Sequence, residues 1–215
     1  MNIFTQLVCT VGRVVNNQVH MLGTGFFVSN DGKVVTSKHV VGNNDDNLVI
    51  LLPSIDKLDE YQDTTDNTCT TANVKIIESD AFRDVVILQV KNIAYKGIIP
   101  QLGSFDDIMV GEEVIVLGFP HCVEGRRVLT LQRATIGAKV LVDSEGIKSK
   151  NAVINIQTRP GQSGSLIYSL RTNTIIGILM GTYAPESGVS IAGINPRELN
   201  QTTHGVSAEY IKQML

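Results

Sequence analysis

Apolar residues in this 215-residue chain gather in short β-branched runs bounded by Gly, Asn, Asp and Pro, and that patterning constrains its fold more than any other feature. Eleven runs stand out, over residues 6–15, 21–28, 33–36, 48–52, 74–77, 85–90, 113–117, 127–136, 153–157, 165–168 and 175–180. A parallel sheet needs crossover connections of about a dozen residues or more, usually helical, and the segments between these runs carry turn residues instead. The pattern therefore predicts an all-β fold of two small antiparallel barrels. The opening residues through Val15 read as the first strand, and only the tail reads as helical. There Ser207 is a good N-cap, and Tyr210, Ile211 and Leu215 fall near one face. Between the two strand-rich halves lies 98–107, with Pro100, Gly103 and paired Asp106-Asp107. It divides the chain into an N-terminal barrel over 1–97 and a C-terminal barrel with its helix over 108–215.

Composition removes several function classes. With 43% apolar and 18% charged residues the chain lies far from the disordered regime. A net charge of −3, and no basic run longer than Arg126-Arg127, argue against a nucleic-acid partner. Its apolar stretches are broken every few positions, short of the ~20 residues of a membrane-spanning helix, so no membrane partner is expected. The opening residues lack a basic region followed by a sustained apolar run, which leads to the expectation of a cytoplasmic protein. Cys9, Cys69 and Cys122 are widely spaced with no C-x-x-C pair, and free thiols follow. Residues 42–83 hold nine of the 21 acids against three bases, and 56–71 read as a solvated loop. Within that acidic region, Asn43-Asn44-Asp45-Asp46-Asn47 offers clustered oxygens to a calcium ion but lacks EF-hand spacing, so neither metal nor cofactor is expected.

The sharpest local feature is Gly161-Gln162-Ser163-Gly164, a serine set between glycines where two strand-like segments meet. Glycine permits a tight backbone in which the amides of Gly161 and Ser163 converge on one point, as an oxyanion hole for acyl transfer requires. Gly-x-Ser-Gly is also ordinary hairpin chemistry, so the turn alone decides nothing. A serine hydroxyl needs a base, and the chain has four histidines. His20 opens a strand, His121 follows Phe119-Pro120 and His204 precedes Gly205, whereas His39 ends a buried run where its ring can face a groove between barrels. The base in turn needs a carboxylate to orient it. Asp84 opens Val85-Val86-Ile87-Leu88, where a buried charge must be paired, and Asp80 competes from the solvent side.

Together these blocks resemble the chymotrypsin-like (trypsin-fold) serine proteases, most closely their HtrA-like and glutamyl-endopeptidase branches. Residues 23–41 resemble the family's histidine block, Asp84-Val85-Val86-Ile87-Leu88 its aspartate block, and Pro160-Gly161-Gln162-Ser163-Gly164-Ser165 its nucleophile block, in the family's chain order. Residues 111–120 resemble the first strand of the second barrel, and 176–181 the strand that pairs with substrate backbone. The resemblance implies two six-stranded barrels and a serine endopeptidase acting on protein or peptide substrates, general or dedicated to one protein target. It implies Ser163 as nucleophile, His39 as general base and then acid, Asp84 as its orienting carboxylate, and the Gly161 and Ser163 amides as oxyanion donors. A peptide-binding module that grips without turnover is the alternative. Gln162 stands where digestive members carry an aspartate, so activation by N-terminal cleavage is not expected.

For the specificity pocket the resemblance points to Gln157, Thr158, Arg159, Leu179, Met180, Gly181, His204 and Gly205. Gln157 occupies the position of the acid of trypsin-like members, so cleavage after Lys or Arg is expected to be slow. Thr158 matches a glutamyl-endopeptidase pocket residue, but Leu179 replaces the histidine of that branch, with Arg159 and His204 as candidate substitutes. Apolar Leu179 and Met180 favour an uncharged residue before the scissile bond, with an acidic one as the alternative.

Overall fold

Strands β1 (Val8–Val15), β2 (Gln18–Phe27), β3 (Lys33–Ser37), β4 (Leu48–Leu51), β5 (Thr71–Asp80) and β6 (Val85–Val90) close one antiparallel barrel in the order β1-β2-β3-β6-β5-β4. A second closes as β10-β11-β12-β9-β8-β7, from β7 (Glu113–Gly118), β8 (Thr130–Ser144), β9 (Ile147–Ile154), β10 (Leu166–Ser169), β11 (Thr174–Tyr183) and β12 (Thr202–Ser207). The computed structural model describes residues 3–52, 55–91, 94–183 and 202–215. Closure leaves neither sheet with a free edge, which is how short β-branched strands pair all their backbone groups. Turn chemistry sets the hairpins. Asn16-Asn17, with φ of 50° and 62°, and Glu145-Gly146, with φ of 52° and 84°, occupy the left-handed positions of tight two-residue turns.

The packing is continuous across the two barrels. One cluster of buried side chains runs from Val8, Phe26 and Ile87 of the first to Leu117, Leu166 and Ile178 of the second. A separate cluster, including Val116, Ile154, Ile167 and Leu179, fills the interior of the second barrel.

Several local expectations are corrected. The chain opens with a short helix, α1 (Ile3–Leu7), before β1. Phe4, Leu7 and Val8 follow helical spacing and are buried, and the Phe4 ring meets Tyr168 edge-on with centroids 5.0 Å apart. A second short helix, α2 (Lys38–Val41), follows β3, so helical structure is not confined to the tail. β8 runs on to Ser144 because the β8–β9 hairpin projects past the barrel, where both faces meet solvent and alternation weakens. β12 carries no apolar run to announce it. Ser207 is its buried last residue, and its Oγ accepts from the Phe105 amide at 3.1 Å, so it does not cap α3 (Glu209–Gln213). Tyr210 and Ile211 of α3 are buried, whereas Leu215 is 43% exposed.

Segment 98–107 packs on the second barrel: Gly103 N donates to Ile175 O at 2.7 Å and Ile175 N to Gln101 O at 2.9 Å. The acidic loop over 56–71 is exposed, yet Gln62 pins it to Leu129 through two hydrogen bonds of 2.9 and 2.8 Å. Cys9 and Cys122 are buried, Cys69 is exposed, and all three are free. Among the described residues no helix is long and apolar enough to cross a membrane.

Candidate active site

The end of β3 delivers His39 into a cleft between the barrels. α2 begins immediately after the strand and is tied to the turn before β6: Lys38 N donates to Asp84 O at 2.8 Å, and His39 N to Asp84 Oδ1 at 2.7 Å. The other carboxylate oxygen, Oδ2, lies 2.5 Å from His39 Nδ1. An ionised carboxylate only accepts, so Nδ1 carries the proton and Nε2 is left with its lone pair. Asp84 has φ of 55°, a left-handed conformation uncommon for a residue other than glycine and held here by these three bonds. Its competitor, Asp80, is engaged elsewhere. It receives the Phe82 and Arg83 amides at 3.0 Å each and the Arg83 guanidinium at 2.6 Å.

Arg13 of β1 holds the far side of the histidine helix. Its guanidinium donates to Val41 O at 2.9 Å, Asn44 O at 2.7 Å and Asp46 O at 2.5 Å. Two of these carbonyls, Asn44 O and Asp46 O, belong to the Asn43 to Asn47 loop, which Arg13 thereby ties to the end of α2. Among the described residues no group of His, Cys, Asp and Glu is arranged to hold a metal ion.

Ser163 sits in the turn between β9 and β10. Gly161 has φ of 92° and Gly164 of 88°, positions that favour glycine. A side chain on Gly161 would come within 2.7 Å of Phe119 O and Cys122 Sγ. Gly164 N donates to Leu179 O at 2.8 Å and Ser165 N to Gln162 O at 2.9 Å, while the amides of Gly161 and Ser163 meet no acceptor among the described residues. The Ser163 hydroxyl donates to Met180 O at 3.1 Å. Beneath the turn, Cys122 is shut from water, and burial pushes its thiol up to about 12, far from a reactive thiolate.

His39 and Ser163 line one cleft of about 820 Å³. Of the residues expected around it, Thr158, Arg159, Met180, Gly181 and His204 are there. Three are not. Gln157 is exposed outside the lining, with its Oε1 accepting from Arg159 Nη2 at 3.0 Å. Leu179 is 0% exposed in the interior of the second barrel, because side chains alternate along β11 and Met180 takes the cleft side. Gly205 faces that same interior, where a Cβ would meet Ile167 Cδ1 at 2.5 Å. Val140, Val142, Asn151 and Pro160 complete the lining unanticipated. Val140-Leu141-Val142 is a run of three apolar residues with no alternation, so the sequence carries no signal of which of them faces the cleft. Burial lowers the pKa of His204, which favours its neutral form.

A model of the trypsin-like peptidase domain matches residues 23–178. A protein of Hahella chejuensis described as a probable periplasmic serine endoprotease, DegP-like, is 30% identical over 170 residues, covering 77% of this chain and 31% of that protein. The magnetosome formation protease MamE of Paramagnetospirillum magneticum is 29% identical over 180 residues, covering 82% of this chain and 22% of its own. The chain thus spans about a third or less of these relatives. Among solved structures, the MamO protease domain from Magnetospirillum magneticum superposes with a TM-score of 0.68 at 12% identity, covering 98% of this chain and 96% of that one. The active form of the Rv3671c protease from M. tuberculosis gives 0.67 at 20% identity, with 98% and 80% covered. These two likenesses are of fold.

Proposed function

This chain belongs to the trypsin-like peptidase family, and from that premise we propose that it is a serine endopeptidase working through His39, Asp84 and Ser163. The observation that carries this reading is the doubly bonded His39–Asp84 pair opening onto the cleft that holds Ser163. In the reaction, Ser163 Oγ attacks the scissile carbonyl carbon as its proton passes to His39 Nε2. Asp84 remains ionised and stabilises the imidazolium. The negative charge on the former carbonyl oxygen is received by the Gly161 and Ser163 amides. Collapse breaks the C–N bond, His39 returns its proton to the leaving amine, and the same sequence with water hydrolyses the acyl-enzyme.

The direction of the Ser163 hydroxyl, toward Met180 O, favours a second reading in which the cleft binds peptide without turnover. Hydrogen bonds between nucleophile and base often tighten only when substrate is bound, so the first reading leads. Labelling by a fluorophosphonate separates them. Stoichiometric modification of Ser163 that is lost in His39→Ala supports the enzyme, and inert protein that still binds peptides supports the module.

The substrates are proteins or peptides, with one dedicated target as the narrower possibility. Among the described lining residues Arg159 is a cation and no carboxylate appears, so Lys or Arg before the scissile bond finds no counter-charge. With Leu179 turned into the core, the apolar wall rests on Met180, Val140 and Val142, and an uncharged or acidic residue is accepted there. A peptide library read by mass spectrometry tests this, and dominant cleavage after Lys or Arg would overturn it. The cytoplasmic placement read from the opening residues stands against relatives described as periplasmic, and fractionation of the source cells decides between them.

A further inference from the structure

The Ser163 turn belongs to the second barrel, yet much of what holds it comes from the first. Thr24 lies on β2 and is 0% exposed. Its backbone amide donates to Ser163 O at 2.9 Å. Its Oγ1 accepts from Phe119 N at 3.0 Å and donates to Gly161 O at 2.8 Å. Its carbonyl receives Thr36 Oγ1 at 2.6 Å, which ties it back into the first barrel. A hydroxyl has one proton, and with the Phe119 amide as its donor that proton is committed to Gly161 O.

Gly161 is the residue in the turn that most needs such anchoring. Without a Cβ it rotates through left-handed and right-handed backbone alike. The peptide before it is held by His121 N, which donates to Pro160 O at 2.6 Å. That peptide is trans, so its N–H points opposite to its carbonyl and therefore away from His121. The peptide after it is held at its carbonyl by Thr24 Oγ1, with the weak donor Cys122 Sγ at 3.7 Å beside it, and at its N–H by Arg159 O, which accepts from Gln162 N at 3.1 Å. Removing the Thr24 hydroxyl releases the O–H donor that holds the Gly161 carbonyl from across the barrel interface and leaves the Phe119 amide without its acceptor.

We propose that Thr24 is a positioning residue for the oxyanion hole, its hydroxyl reaching across the barrel interface to hold Gly161 with its amide on the Ser163 side. The inference rests on the peptidase reading, but part of its test does not. Thr24→Val keeps the side-chain volume and deletes the hydroxyl; Thr24→Ser keeps the hydroxyl and deletes the methyl. With a cleaved peptide substrate, T24V should lower kcat by roughly 10- to 100-fold with KM nearly unchanged, short of the ~10²–10³ for loss of an oxyanion donor. T24S should stay within about threefold of the wild type on the same reasoning. Affinity for a peptidyl aldehyde, whose adduct with Ser163 places an oxyanion in the hole, should fall in parallel with kcat, while affinity for the product peptide holds. A purely structural role would move both affinities together.

In ¹⁵N relaxation measurements on the unliganded protein, Gly161 should show conformational exchange in T24V and none in the wild type or T24S. Wild-type kcat in folded T24V overturns the proposal, as does a T24S variant as impaired as T24V. An unfolded T24V passes the same criteria to Thr24→Ala. Wild-type protein with neither turnover nor Ser163 labelling sinks the peptidase reading instead. In that case the relaxation data judge Thr24 alone, and a Gly161 amide equally quiet in all variants refutes its role.

Discussion

At the scale of single residues, the site depends on a few atoms whose loss has separable signatures. Ser163→Ala should leave the fold intact and cut turnover by several orders of magnitude, because the amides and binding groups that remain supply only ~10³–10⁴ of rate enhancement over water. His39→Ala should be similarly disabling, and circular dichroism with peptide turnover checks both. His204 makes a different prediction, about pH and stability. Burial in the folded protein lowers its pKa, so on acidification the unfolded chain takes up a proton more readily than the native state. Its contribution is therefore constant above the ordinary imidazole range and is lost as pH falls through the unfolded value of about 6.5. Melting temperatures of wild type and His204→Gln across pH 5 to 8 test this. The acid-side loss should be smaller in the variant, and identical slopes would remove His204 from the account.

At the scale of elements, the short terminal helix braces the turn that presents Asp84. The ring of Tyr210 on α3 lies under the Arg83 guanidinium, 4.1 Å from its centroid, and the Tyr210 hydroxyl accepts from Lys150 N of β9 at 2.8 Å. Arg83 in turn binds Asp80, so β9, α3 and the aspartate turn form one connected strut. Tyr210→Ala should destabilise the protein by roughly 3–5 kcal/mol, the usual range for deleting a buried aromatic. Tyr210→Phe should cost about 0.5–1.5 kcal/mol, the usual net worth of one hydrogen bond, since it removes the acceptor of the half-buried Lys150 amide. Denaturant titration gives both values, and a Tyr210→Phe variant as stable as the wild type would show that the hydroxyl contributes nothing. The Ser163 turn is just as constrained: a Cβ on Gly164 would lie 1.9 Å from Thr24 O at a φ of 88°. Gly164→Ala is thus expected to abolish turnover or folding, and unimpaired turnover in that variant would show that the turn can shift.

At the scale of the whole molecule, the barrels are packed too closely to act as independent units. One buried cluster spans both, the Phe4 ring meets Tyr168 of the second barrel edge-on, and Thr24 N reaches Ser163 O across the boundary. Calorimetry should accordingly record a single unfolding transition with equal calorimetric and van't Hoff enthalpies, coincident with loss of peptide turnover. Two resolved transitions would show barrels that melt separately.

What the sequence determined by itself was what local chemistry encodes. β-branched runs and turn residues specify strands, and the glycines around Ser163, the carboxylate at the head of β6 and the histidine at the end of β3 are each legible because backbone conformation and burial restrict what stands there. Tertiary structure decided the rest. The projecting β8–β9 hairpin and the Gly-containing β12 lack a one-sided apolar face, so no alternation reveals them until strand pairing is seen. Leu179 and Met180 are adjacent apolar residues, and only the register of β11 sends one into the core and the other into the cleft. Ser207 has the chemistry of a helix cap, but a buried amide 102 residues away in the chain claims its hydroxyl first. Contacts between distant segments assign each polar group its partner, and a linear pattern carries no record of those distances.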